Sequence, residues 1–275
     1  MNKYTKILLI FTIFAISCGN SKEAKSLYDK AQALYENRQF TAAKNVLDSV
    51  NTLYPKEIEV RKSALTLMRR VERGESEQNI VYCDSLLPIR KKDLETLKKG
   101  FIFEKDSAYD ELGNYLPPAM TVERNTERSY IRCGVNEEGE MYIASVYFGS
   151  RPLEHTGLKL SANNGIYVET PAIAYDGGVN YRFQDNGNTT EIVTYKGENC
   201  KGIANFVHSS AKDRIKAEYT GGKPFSLTLS ENDKKAIEST YELALVLSEI
   251  NALKREKTKS EKRILLIDEK LKNAP

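Results

Sequence analysis

The chain reads as an α+β protein, with helices at both ends and an antiparallel β-region between them. Three observations predict this. Glycine is scarce in the flanks: between Asn20 and Lys99 there is only Gly74, and after Gly222 there is none. Turn chemistry collects in the middle, in segments such as Asn136-Glu137-Glu138-Gly139, Asn163-Asn164-Gly165 and Asp185-Asn186-Gly187. The flanks instead place apolar residues at alternating steps of three and four, the period of a packed helix. The resulting division is a leader at 1–17, a helical region at 18–99, a β-region at 100–229 and a long helix at 230–275.

The leader comes first. Met1 to Lys6 carries two lysines, and Ile7 to Ser17 is an uncharged, mostly apolar run. Eleven helical residues cover ~16 Å, about half the hydrocarbon thickness of a bilayer, so the run is a secretory h-region rather than a span. Ala15-Ile16-Ser17-Cys18 resembles the bacterial lipobox, with Ala15 where that family prefers Leu. The resemblance implies cleavage before Cys18 and acylation of its thiol and amino group, two anchors of the kind stable membrane attachment requires. Gly19 in place of Asp implies the outer membrane. The direction in which the protein faces stays open. With Lys3 and Lys6 removed, the 41 basic and 38 acidic residues leave a net charge near +1. No basic footprint for a phosphate backbone remains, which argues against nucleic acid as a partner.

The first helical segment carries Leu27, Ala31, Leu34, Phe40, Ala43, Leu47, Val50 and Pro55. This spacing resembles the tetratricopeptide repeat, a helix-turn-helix of about 34 residues. Ala31 and Ala43 are small where two helices must approach, and Leu27, Leu34, Leu47 and Val50 supply an apolar face. Beyond Pro55, Ile58, Ala64, Leu65, Met68 and Val71 predict one helical stripe, and Ile80, Cys83, Leu87, Arg90, Leu94 and Leu97 a second. Pro88 predicts a kink or a new helix start.

Strands are expected at Tyr130–Val135, Met141–Phe148, Leu158–Ser161, Ile166–Glu169, Asn180–Gln184, Glu191–Tyr195, Ile203–Val207, Arg214–Tyr219 and Phe225–Leu229. Short strands at this spacing predict a β-sandwich or a small barrel. Ser230-Glu231-Asn232-Asp233 opens the last helix with a capping residue and acids in its first turn. A helix of some 44 residues needs a partner along its length. Packed against residues 56–99, it would make an antiparallel stalk with the β-domain inserted at its end. Lys257 and Ser260 are polar positions in the seam.

Motifs of known chemistry are scarce. His155 and His208 are the two histidines and neither sits at metal-ligand spacing from a Cys or another His. There is no phosphate-cradling glycine loop and no Gly-x-Ser-x-Gly elbow. No catalytic residue, metal or cofactor is assigned, and a non-enzymatic role is expected. Tyrosine is abundant, with 16 in the chain. Tyr175 and the adjoining Asp176, in the loop Asp176-Gly177-Gly178, and Tyr181 on the next strand are the candidate binding residues, because tyrosine presents an apolar ring with a polar tip. Cys133 and Cys200 are candidates for one disulfide in an oxidising compartment; burial as small apolar side chains is the alternative. Finally, Asp48-Ser49-Val50, Asp84-Ser85-Leu86 and Asp106-Ser107-Ala108 resemble the acceptor triplet of a bacterial O-glycosylation system, which would modify Ser49, Ser85 and Ser107.

The first functional reading is a lipid-anchored envelope protein that scaffolds contacts with another envelope protein. The alternative is a glycan-binding module on a helical spacer. A hydrolase with an unrecognised acidic pair ranks third. A scaffold should leave apolar side chains exposed. A glycan binder should gather tyrosines on one open face, and a hydrolase should converge two carboxylates in a pocket.

Overall fold

In the computed structural model the backbone is described for residues 3–106 and 111–272, and the side chains for residues 20–106 and 111–272. The chain is α+β. It divides into two compact units: one takes the residues up to Leu86 and those from Leu253 onward, the other is Leu87–Ala252. No helix among the described residues is long and apolar enough to cross a membrane.

The first unit is helical. Helix α1 (Lys3–Glu36) turns back on α2 (Phe40–Leu53), with Arg38 in the left-handed region at the reversal. Ala31, Ala43, Leu47 and Val50 are fully buried in its core, as their spacing predicts. Helix α3 (Ile58–Leu97) adds Ala64, Leu67 and Val71 to that core. Met68 packs against it, so the expected stripe holds at Ala64, Met68 and Val71, while Ile58 and Leu65 face solvent. Gly74 lies inside α3 because a Cβ there would stand 2.8 Å from the Phe40 ring, so the bare backbone makes room for that side chain.

Pro88 does not start a new helix; it lies inside α3, a single element of 40 residues. Proline removes one amide donor, and the neighbouring turns keep theirs. The division between the two units falls beside it, at Leu86 and Leu87. Helix α5 (Glu231–Lys272) likewise supplies a segment to each unit.

Within the helical unit, α5 runs antiparallel to α3. Arg73 pairs with Asp268 at 2.8 Å, Glu72 with Arg263 at 2.8 Å and Asp84 with Lys257 at 2.6 Å. The two polar seam positions are thus matched: Lys257 by Asp84, and the buried Ser260 by an amide hydrogen bond from Asn79 at 3.0 Å.

The second unit contains two open antiparallel sheets. Strands β1 (Ile102–Glu104), β2 (Asn114–Leu116), β3 (Tyr130–Asn136), β4 (Met141–Gly149), β7 (Asn180–Asp185) and β8 (Asn188–Tyr195) form a six-stranded sheet of order β1-β2-β3-β4-β8-β7. Strands β5 (Gly157–Ala162), β6 (Tyr167–Glu169), β9 (Ile215–Thr220) and β10 (Phe225–Thr228) form the other, of order β10-β9-β5-β6. Neither sheet closes, so the barrel alternative is discarded. β1 and β2 are three residues each, too short to show an alternating pattern.

The segment 203–207 is not a strand. It belongs to helix α4 (Gly197–Ser209), whose buried residues Cys200, Ile203, Ala204 and Val207 recur every three or four positions. That is the period of one helical face, and it overrides the local β-propensity of Ile and Val. Both sheets, α4 and the nearer part of α5 share one apolar core. Within it the Tyr219 hydroxyl of β9 lies 3.0 Å from the carbonyl oxygens of Tyr130 and Val146, joining the sheets.

Candidate functional site

A groove of about 490 Å³ opens at one end of the larger sheet, between the β3–β4 turn, the start of α4 and α5. Its size falls within the range of small-ligand and side-chain pockets. Three local features shape it. Asn136 holds the turn by accepting the amides of Glu138 and Glu140 on its Oδ1, at 3.0 and 2.9 Å. Gly139 takes φ +86°, and a Cβ there would lie 2.5 Å from the Ser248 amide nitrogen, so only glycine lets the turn approach α5 this closely. Ser248 then donates to the Gly139 carbonyl at 3.1 Å, and Asn251 to that of Glu137 at 3.3 Å.

The groove is amphipathic. Met141, Tyr142, Tyr241, Ala244 and Leu245 line it with apolar surface, and Leu245 is half exposed. Glu140, Lys196, Glu198 and Lys201, all exposed, stand around it. Burial pushes the Tyr142 phenol up to about 12, so it stays a neutral hydrogen-bonding group across the physiological range. A second groove, in the helical unit, is lined by Lys44, Glu75, Asn79, Lys259 and Arg263. Its charges are already engaged: Lys44 with Glu75 at 2.6 Å, Arg263 with Glu72 at 2.8 Å and Lys259 with Glu256 at 3.7 Å.

Beneath the surface lies a polar network that no spacing in the sequence announces. His155 Nδ1 is 3.0 Å from a Glu191 carboxylate oxygen, His155 Nε2 is 2.9 Å from Ser145 Oγ, and Ser145 Oγ is 3.3 Å from the Tyr195 hydroxyl. The connectivity is that of nucleophile, base and orienting carboxylate. Exposure decides against that use: Ser145, His155 and Glu191 are 0, 1 and 2% exposed, so a substrate has no route to them.

The network instead fixes a loop. Glu191 accepts the backbone amides of Leu153, Glu154 and His155, and Glu154 is a non-glycine residue at φ +65°. Burial alone would raise the Glu191 carboxyl. The His155 hydrogen bond and the amides of Glu154 and Leu153 outweigh it and hold the group at about 2.

The sequence-derived candidates are dispersed. Tyr175 is exposed, with the Arg182 guanidinium 4.7 Å above its ring. Asp176 is committed to its turn, accepting the amides of Gly178 at 2.8 Å and Asn180 at 2.9 Å, and these bonds lower its pKa. Tyr181 stacks on Phe183 at 6.5 Å. Side chains alternate along a strand, so Tyr181 and Phe183 lie on the opposite face of β7 from Arg182. Tyr175 and Tyr181 are therefore not brought together.

Cys133 and Cys200 are free thiols, not a disulfide. Cys133 points at Thr240 Oγ1, 3.4 Å away on α5, and Cys200 sits in the buried face of α4. Burial pushes both up to about 12, which keeps them as unreactive thiols. Ser49 and Ser85 are in helices, bonded back to the carbonyls of Asn45 and Tyr82. The Cys18 side chain and Ser107 lie outside the described residues.

The groove at the β3–β4 turn could not be read from sequence. Its members Asn136, Tyr142, Lys196, Tyr241 and Leu245 are spread over more than a hundred positions, and only the Asn136–Gly139 turn carried a local signal. No family model, no curated protein and no solved structure matches this chain.

Proposed function

We propose that the protein is anchored to the outer membrane by lipid on Cys18 and acts as a non-enzymatic interaction and scaffolding module of the cell envelope. The groove between the β3–β4 turn, α4 and α5 is its docking site, and it receives an apolar segment of an envelope protein. One observation carries this reading: half-exposed Leu245 and the partly buried rings of Tyr142 and Tyr241 line a concave, charge-rimmed site of about 490 Å³. Aromatic anchors within a polar rim are the usual composition of a protein contact. Exposed Leu53, Val81, Leu265 and Leu266 on the helical unit offer further apolar surface.

The α1–α2 hairpin is, in this reading, a degenerate tetratricopeptide-like unit, supported by the full burial of Ala31 and Ala43. The two sheets are the layers of a β-sandwich, supported by the Tyr219 bridge between them.

A photo-crosslinking residue at position 245 of the full chain, expressed in its native envelope, tests the docking site. One dominant protein adduct is expected, and Tyr142→Ala should reduce it severalfold. Absence of any protein adduct, together with clear binding on a glycan array, would reverse the ranking in favour of the glycan reading. The Tyr181–Phe183 stack on the edge strand favours that second reading. Palmitate labelling of the wild type and of Cys18→Ala tests the anchor. Label retained in the variant would discard it.

A further inference from the structure

His208 closes the last turn of α4, and Glu238 and Glu242 lie one turn apart on α5. Their ligand atoms all fall within 4.8 Å of one another. His208 Nδ1 is 3.2 Å from Glu238 Oε1. We propose that these three side chains form a binding site for a divalent transition-metal cation of the zinc class.

Four physical arguments support the assignment. The first is spacing: zinc bonds of about 2.0–2.2 Å in a tetrahedron put neighbouring ligand atoms ~3.4 Å apart. The His208–Glu238 contact, at 3.2 Å, is close to that separation, and a Glu242 carboxylate oxygen lies within 4.8 Å of both ligand atoms. The second is charge. Two glutamates at i and i+4 converge on the same imidazole. Two like charges at that spacing repel, and a dication neutralises both.

The third argument is rigidity. Both helices belong to one packed core, and the Tyr241 ring lies against His208 at 5.9 Å, which restricts the imidazole. The fourth is ligand type. An imidazole beside two carboxylates suits zinc, cobalt or nickel, whereas magnesium and calcium prefer oxygen ligands throughout. His208 and Glu238 are 46 and 32% exposed, so at least one coordination position stays open to water or to a carboxylate from outside.

The test is titration of the tag-free, folded protein with zinc chloride by calorimetry, repeated with magnesium chloride. One saturable zinc site per chain and no magnesium site are expected. His208→Ala should weaken zinc binding roughly tenfold or more, since even outer-shell changes cost 10–100-fold. Glu242→Gln should do the same. This second variant alters an exposed side chain, so it keeps the test decisive if His208→Ala does not fold. Cobalt loaded in place of zinc should show d–d bands with no thiolate charge-transfer band, in keeping with the free cysteines taking no part. A wild-type protein with no saturable zinc site, or zinc binding unchanged in Glu242→Gln, would overturn the proposal.

Discussion

Glu191 is a carboxylate with almost no access to water that nonetheless stays ionised, because three backbone amides and His155 replace its hydration. Its pKa is lowered from 4.5 to about 2, so the unfolded chain takes up its proton first. The stability it contributes is fully present above about pH 4.5 and is lost as the pH falls toward 2. By linkage this amounts to about 3 kcal/mol. Urea unfolding at pH 7 and pH 2.5 should therefore show wild type losing most of that amount relative to Glu191→Gln. The variant should start lower at pH 7 and respond less to acid; equal acid sensitivity in the two proteins would refute the assignment. Gly139 makes a second prediction at this scale. Gly139→Ala puts a methyl against the α5 backbone at a positive φ, so a loss of several kcal/mol is expected, with a weaker crosslink at position 245.

At the scale of elements, α5 shows how a long helix is started and held. Ser230 Oγ accepts the Asp233 amide at 3.1 Å while Asp233 Oδ2 accepts the Ser230 amide at 3.0 Å, a reciprocal cap. Ser230→Ala should cost about 1 kcal/mol in chemical denaturation, with no effect on zinc binding about two to three turns along. Helix α4 carries the opposite lesson. Ile203–Val207 is locally β-prone, yet the segment is helical because Cys200, Ile203, Ala204 and Val207 must all face one core. β-branched residues tolerate a helix when tertiary burial outweighs propensity.

For the whole molecule, two cores of separate composition lie in one chain, and α3 and α5 contribute to both units. Leu47 is fully buried in the helical core alone. Leu47→Ala should remove about 2–5 kcal/mol from that unit. Thermal unfolding followed by far-UV circular dichroism should then begin below the transition seen by near-UV tyrosine signals of the β-containing unit. Coincident transitions would show that the continuous helices bind the two units into one cooperative structure.

Periodicity and turn chemistry are local properties, and they were enough to determine the α+β class, the long terminal helix with its Ser230 cap, the burial of Ala31, Ala43, Leu47 and Val50, and most strands between 130 and 229. Long-range contact decided the rest. Pro88 sits inside a continuous helix, Cys133 faces Thr240 instead of Cys200, and Ser145, His155 and Glu191 meet across 46 positions of chain. The groove and the His208–Glu238–Glu242 cluster are of this second kind. Pattern in a sequence reports which face of an element is buried, but a site needs side chains from different elements to converge, and that convergence is set only when the elements pack.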